Sequence, residues 1–128
     1  MNQFVDTNLV EALLSQLDVD YRKLNLKNGH LYFCTLSNKI TFNLRLEGDG
    51  TVTLWRFIGC IQSLQGGTQV EYRKRKMTVG LEVTDEGDLS FYVKNHFKTG
   101  NMDVGKQLKK MLSIYADVIT HIEREQIL

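Results

Sequence analysis

The chain has 128 residues, 42% of them hydrophobic, with 16 basic residues against 15 acidic ones. That size predicts one domain over residues 1–128 with a single core, and no apolar run approaches the roughly 20 residues that a membrane-spanning helix needs. The near-neutral charge gives no whole-molecule attraction to nucleic acid, and Met1-Asn2-Gln3-Phe4-Val5-Asp6 has neither the basic nor the apolar stretch of a secretory leader, which predicts a cytoplasmic protein.

The first element is a short helix from Asn8 to about Leu17. Leu9, Val10, Leu13, Leu14 and Leu17 form its apolar stripe, and Asn8 with Glu11 resembles a capping box. A strand near Val19–Leu26 then meets Asn28-Gly29, a pair that suits a type I′ hairpin because both residues accept positive φ. Its partner strand is His30–Leu36. Lys39–Leu46 alternates most cleanly, with Ile40, Phe42, Leu44 and Leu46 on one face and Thr41, Asn43 and Arg45 on the other. Thr51–Ile61 is apolar on both faces, which predicts a central strand or a second covered face. Gln62–Thr68, with Gly66-Gly67, reads as a loop. The strands Gln69–Arg73, Met77–Val83 and Leu89–Phe97 follow. Asn101 can cap a final helix over Asp103–Gln126, where Val104, Leu108, Met111, Tyr115, Val118 and Ile122 make one stripe. There is no proline, so Gly, Asn and Asp must make every turn. An alternating sheet and a striped helix bury each other, which predicts the α+β class: an antiparallel meander of five to seven strands packed with an N-terminal helix and a long C-terminal helix, in two layers.

Chemistry is sparse. His30, His96 and His121 fall in unrelated places, and Cys34 and Cys60 have no metal-ligand spacing, so both cysteines read as reduced, buried apolar groups and no metal or cofactor is expected. No phosphate-binding, metalloprotease or serine-nucleophile motif occurs, and the carboxylate pairs lie in solvated turns, which predicts a non-catalytic protein.

Two features point to partners. Trp55 and Phe57 share a strand face; they are either core or, if helices cover only the other face, an exposed patch for another polypeptide. In the last helix Leu112, Ile114 and Ile119 widen the stripe that holds Tyr115, so that Tyr115 and Ile119 become candidates for a partner or a second copy in a homodimer. The alternative is a single-stranded nucleic acid on the run Arg73, Lys74, Arg75 and Lys76. Nine basic residues lie between Arg73 and Lys110 against five acidic ones, a surplus of four, with Tyr72, Phe91, Tyr92 and Phe97 interleaved. The competing reading of that run is a solvated edge strand, where lysine and arginine block sheet-to-sheet pairing.

The helix ending in Leu17-Asp18-Val19-Asp20-Tyr21, the strand opening Asn28-Gly29-His30-Leu31-Tyr32-Phe33, and the closing Leu89-Ser90-Phe91-Tyr92-Val93 with the helix from Val104 to Ile122 resemble the YbjN family. The resemblance implies a fold like that of type III secretion chaperones and a non-enzymatic, often dimeric protein that binds or modulates polypeptides, with no functional residue carried over. It also implies a helix within Gln62–Lys76, where the residues themselves read as Gly66-Gly67 and then a strand.

Overall fold

The computed structural model describes residues 7–60, 69–74, 77–97 and 104–125. They form α1 (Thr7–Gln16), β1 (Asp20–Leu26), β2 (Gly29–Thr35), β3 (Thr41–Glu47), β4 (Thr51–Cys60), β5 (Gln69–Lys74), β6 (Met77–Val83), β7 (Asp88–His96) and α2 (Val104–Glu125). The strands make one sheet in the order β1-β2-β3-β4-β7-β6-β5, with every pairing antiparallel. The class is α+β, as the alternation and the helical stripes predict. No helix among the described residues is long and apolar enough to cross a membrane.

Neighbouring strands pair in sequence from β1 to β4 and again from β5 to β7. Between these runs the chain passes to the far edge, so β7 rather than β5 lies beside β4. The reason is apolar content. β7 is buried from Leu89 to Val93 without alternation and takes an interior place, while the shorter, polar β5 (QVEYRK) takes an edge. β4, apolar on both faces, is the middle strand. Arg73 and Lys74 therefore lie on the edge strand β5, where cations discourage pairing with another sheet. Arg75 and Lys76 fall outside the described residues, as do the Gly66-Gly67 loop and Asn101.

α1 ends where Asp18 adopts φ 58°. The Val19 N–H donates to the Leu14 carbonyl at 2.9 Å and the Asp18 N–H to the Ser15 carbonyl at 3.2 Å. This is a Schellman closure, and its apolar seal is the pair Leu14 and Val19, both buried. The first hairpin corrects an expectation. Leu26 pairs with Gly29, so the loop is Lys27-Asn28, and among the described residues neither Asn28 nor Gly29 has positive φ. Gly29 is there for space instead of turn geometry: a Cβ on it would overlap the Leu46 backbone carbonyl of β3.

α1 and α2 cover one face of the sheet. The core beneath them contains Tyr32, Leu44, Leu54, Val93, Tyr115 and Leu14 among others. Tyr115 packs between Phe42 and Phe91, with ring centroids 5.5 Å from each. Glu11 of α1 ties the layers together at the β1 end. Its carboxylate accepts from the Tyr32 hydroxyl at 2.7 Å and pairs with the Lys23 ammonium at 2.9 Å. Those contacts hold the Glu11 carboxyl below its usual range, and burial beside that carboxylate drives the Tyr32 hydroxyl pKa well up. Asn95 also lies on the covered face, 2% exposed, and neither polar atom of its side chain has a hydrogen-bond partner among the described residues.

Candidate functional site

The opposite face of the sheet carries the unusual surface. In a strand, side chains alternate between faces. Tyr32 and Cys34 of β2 are enclosed, so Phe33 between them points away from the helices and is 49% exposed. By the same alternation Val52 and Leu54 of β4 are enclosed, while Phe57 is 53% exposed and Trp55 half-buried. Trp55 and Phe57 meet edge to face, with centroids 5.6 Å apart and planes at 76°. Register places Phe33, Asn43 and Trp55 in one row across β2, β3 and β4, with Arg22 of β1 opposite Phe33. The next row brings Leu24 (50% exposed) beside half-buried Leu31. The short Asn43 thus forms a floor between two aromatic walls.

A split in the sheet deepens this floor. β3 pairs with β4 from Leu46–Val52 to Asn43–Trp55 and then stops. Beyond that point β3 stays with β2 as far as Thr41, and β4 stays with β7 as far as Cys60. The β4–β7 register shifts between Phe57 and Gly59, and such a bulge bends its strand, here where β4 leaves β3. Backbone groups freed at the split find side chains. The Leu36 N–H donates to the Ile40 carbonyl, so the next carbonyl, that of Thr41, faces β4. It accepts from the Tyr115 hydroxyl at 3.0 Å. The Phe57 carbonyl accepts from Arg56 Nε at 3.4 Å.

Beside the split lies a cavity of about 360 Å³. Asp20, Arg22, Phe33, Thr41 and Asn43 line it from the open face and Arg56 closes it at the split. That volume falls in the range of small-ligand sites. Arg56 also reaches Glu123 of α2 at 3.6 Å, but Glu123 is 57% exposed, so the pair is loose and well screened. Arg22 has no ion-pair partner among the described residues.

The sequence-predicted residues separate cleanly. Trp55 and Phe57 stand together on the open face, outside the buried core cluster. Tyr115 and Ile119 do not join them. They are 0% and 1% exposed, sealed against the sheet, and are corrected to core residues. The width of the α2 stripe is used by its own sheet, and the exposed positions of α2 are polar: Lys106, Lys109, Lys110, Ser113, Asp117, Thr120, His121, Glu123 and Arg124. Arg73 and Lys74 lie three strands away from Trp55, on the far edge. Burial pushes the Cys34 thiol up to about 12, which makes it an inert apolar group. Among the described residues, no three His, Cys, Asp or Glu side chains gather as a metal site. Sequence reasoning missed Phe33, Arg22, Leu24 and Asn43. The signal for Phe33 was present: Leu31-Tyr32-Phe33-Cys34 is apolar on both faces, and a two-layer fold covers only one.

Comparisons with protein-family models, curated proteins and solved structures give no match.

Proposed function

We propose that this protein is a non-catalytic polypeptide-binding module whose binding surface is the helix-free face of the sheet around Phe33, Trp55 and Phe57. One observation carries the reading: three large apolar side chains, Leu24, Phe33 and Phe57, are each about half exposed on the face that no helix among the described residues covers. Clustered apolar surface of this kind marks partner sites, and aromatic side chains supply most of the affinity where such surfaces bind. The frame beneath the aromatics is anchored, since Tyr32 and Cys34 of β2 and Val52 and Leu54 of β4 are locked in the core. The exposed apolar area supports a chaperone-like or regulatory role. The nucleic-acid reading has less support, because the basic pair Arg73 and Lys74 and the exposed aromatics occupy different parts of the sheet.

Trp55 is the only tryptophan, so it reports on the face directly. Titration with a tryptophan-free, unstructured polypeptide should shift its emission to the blue and saturate. The Phe33→Ser/Phe57→Ser variant should bind at least about tenfold more weakly, the loss of about 1.4 kcal/mol. An emission unchanged by any such polypeptide, paired with steeply salt-dependent binding of a single-stranded oligonucleotide, would replace this reading with the nucleic-acid one.

A further inference from the structure

We infer that the cavity at the β3–β4 split takes a carboxylate carried by an apolar group. On the polypeptide-binding reading, on which this second step rests, that group is the C-terminal carboxylate of the bound chain.

The cavity at the split has more cationic than anionic side chains on its lining. Where two strands part, each should present both N–H and C=O groups to the gap. Here the Thr41 carbonyl accepts from the Tyr115 hydroxyl and the Phe57 carbonyl from Arg56 Nε. Alternation along β3 turns the Thr41 N–H toward the same gap as its carbonyl. The donors on the lining are backbone N–H and the guanidinium groups of Arg22 and Arg56, beside the acceptors of Asp20 and Asn43. An ionised carboxylate accepts hydrogen bonds and matches the arginine fork.

Charge selects among anions. The charged side chains lining the cavity are Arg22 and Arg56 against Asp20, a surplus of one positive charge on the lining, with Glu123 of α2 loosely paired to Arg56. One carboxylate cancels it; a phosphate dianion would overshoot. Phe33 lines the same cavity, so the carbon bearing the carboxylate meets aromatic surface; Trp55 stands in the last joined row, opposite Asn43, and Phe57 beyond it. A polypeptide lying over the aromatics would end with its terminal carboxylate at Arg22 and the split.

The test uses the whole ¹⁵N-labelled chain and probes small enough to need only the cavity. N-acetyl-phenylalanine should shift the amide signals of Thr41, Asn43 and Phe57 saturably, whereas its primary amide should bind at least about tenfold more weakly, as loss of a charge-assisted bidentate contact requires. Arg22 is on an edge strand and exposed, so Arg22→Gln should keep the spectrum of a folded protein and lose the acid, with Arg22→Lys in between. Equal binding of acid and amide overturns the inference. So does inorganic phosphate binding as tightly as the acid, or no probe shifting these signals. A protein that binds the acid but no unstructured polypeptide keeps the carboxylate site and loses the polypeptide reading. One that binds amidated and free-acid polypeptides alike keeps the face and loses the terminal assignment.

Discussion

The two faces of this sheet are built from the same strands, one residue out of step, and differ in what they can do. Tyr32 is 0% exposed and Phe33, next to it, 49%. Leu54 is enclosed and Trp55 half-open. On the helix side, area is spent on folding. On the other, Tyr92 opposite Trp55 is buried, but Leu24, Phe33 and Phe57 keep about half their area in water, at a cost in solubility that a purely structural surface would avoid. The difference teaches that hydrophobicity alone does not identify core; which layer covers the residue does.

That contrast predicts how substitutions divide. Tyr115→Ala should have the largest effect, a loss of about 3–5 kcal/mol, because it empties the space between Phe42 and Phe91 and releases the Thr41 carbonyl at the split. Urea unfolding with an unchanged slope reads it. Gly29→Ala should cost about 1–3 kcal/mol, since its Cβ would meet backbone in β3 instead of a movable side chain. A neutral result would mean that the β2–β3 approach is looser than described.

Glu11→Gln should cost about 1 kcal/mol at neutral pH, the scale of a partly exposed charged hydrogen bond after screening. Its sign with pH is fixed. The folded carboxyl titrates below its ordinary 4.5, so its contribution is complete above that value and disappears as pH falls through the lower, folded one. The stability gap between the parent and Glu11→Gln should therefore close in acid. A gap that persists at low pH would assign the effect to packing. Asp18→Gly should be the smallest change and a gain, a few tenths to about 1 kcal/mol, because glycine adopts the left-handed closure of α1 without side-chain strain.

Much of the fold was legible in the chain. Alternation located Met77–Val83 to the residue, and the helical stripes located α1 and α2 within a residue or two. These are local signals, set by periods of 2 and 3.6. The β4–β7 neighbourhood was not legible, since strand pairing across the long β4–β5 connection has no local pattern. Nor was the role of Tyr115 and Ile119: a wide helix stripe looks like spare surface until the breadth of a seven-stranded sheet is known. The Asn28-Gly29 pair misled for a related reason. The glycine marks a close approach by β3, a tertiary demand, and not a turn type. The site was half legible: Trp55 and Phe57 could be named, while Arg22 and the split depend on β3 and β4 parting, which register alone reveals.

The most direct measurement is the unfolding free energy of Phe33→Ser/Phe57→Ser in urea. If the helix-free face is reserved for binding, stability should stay within about 0.5 kcal/mol of the parent, as for surface positions. A loss of about 3 kcal/mol or more, the mark of emptied core, would show that these aromatics hold the fold together and would contradict the account.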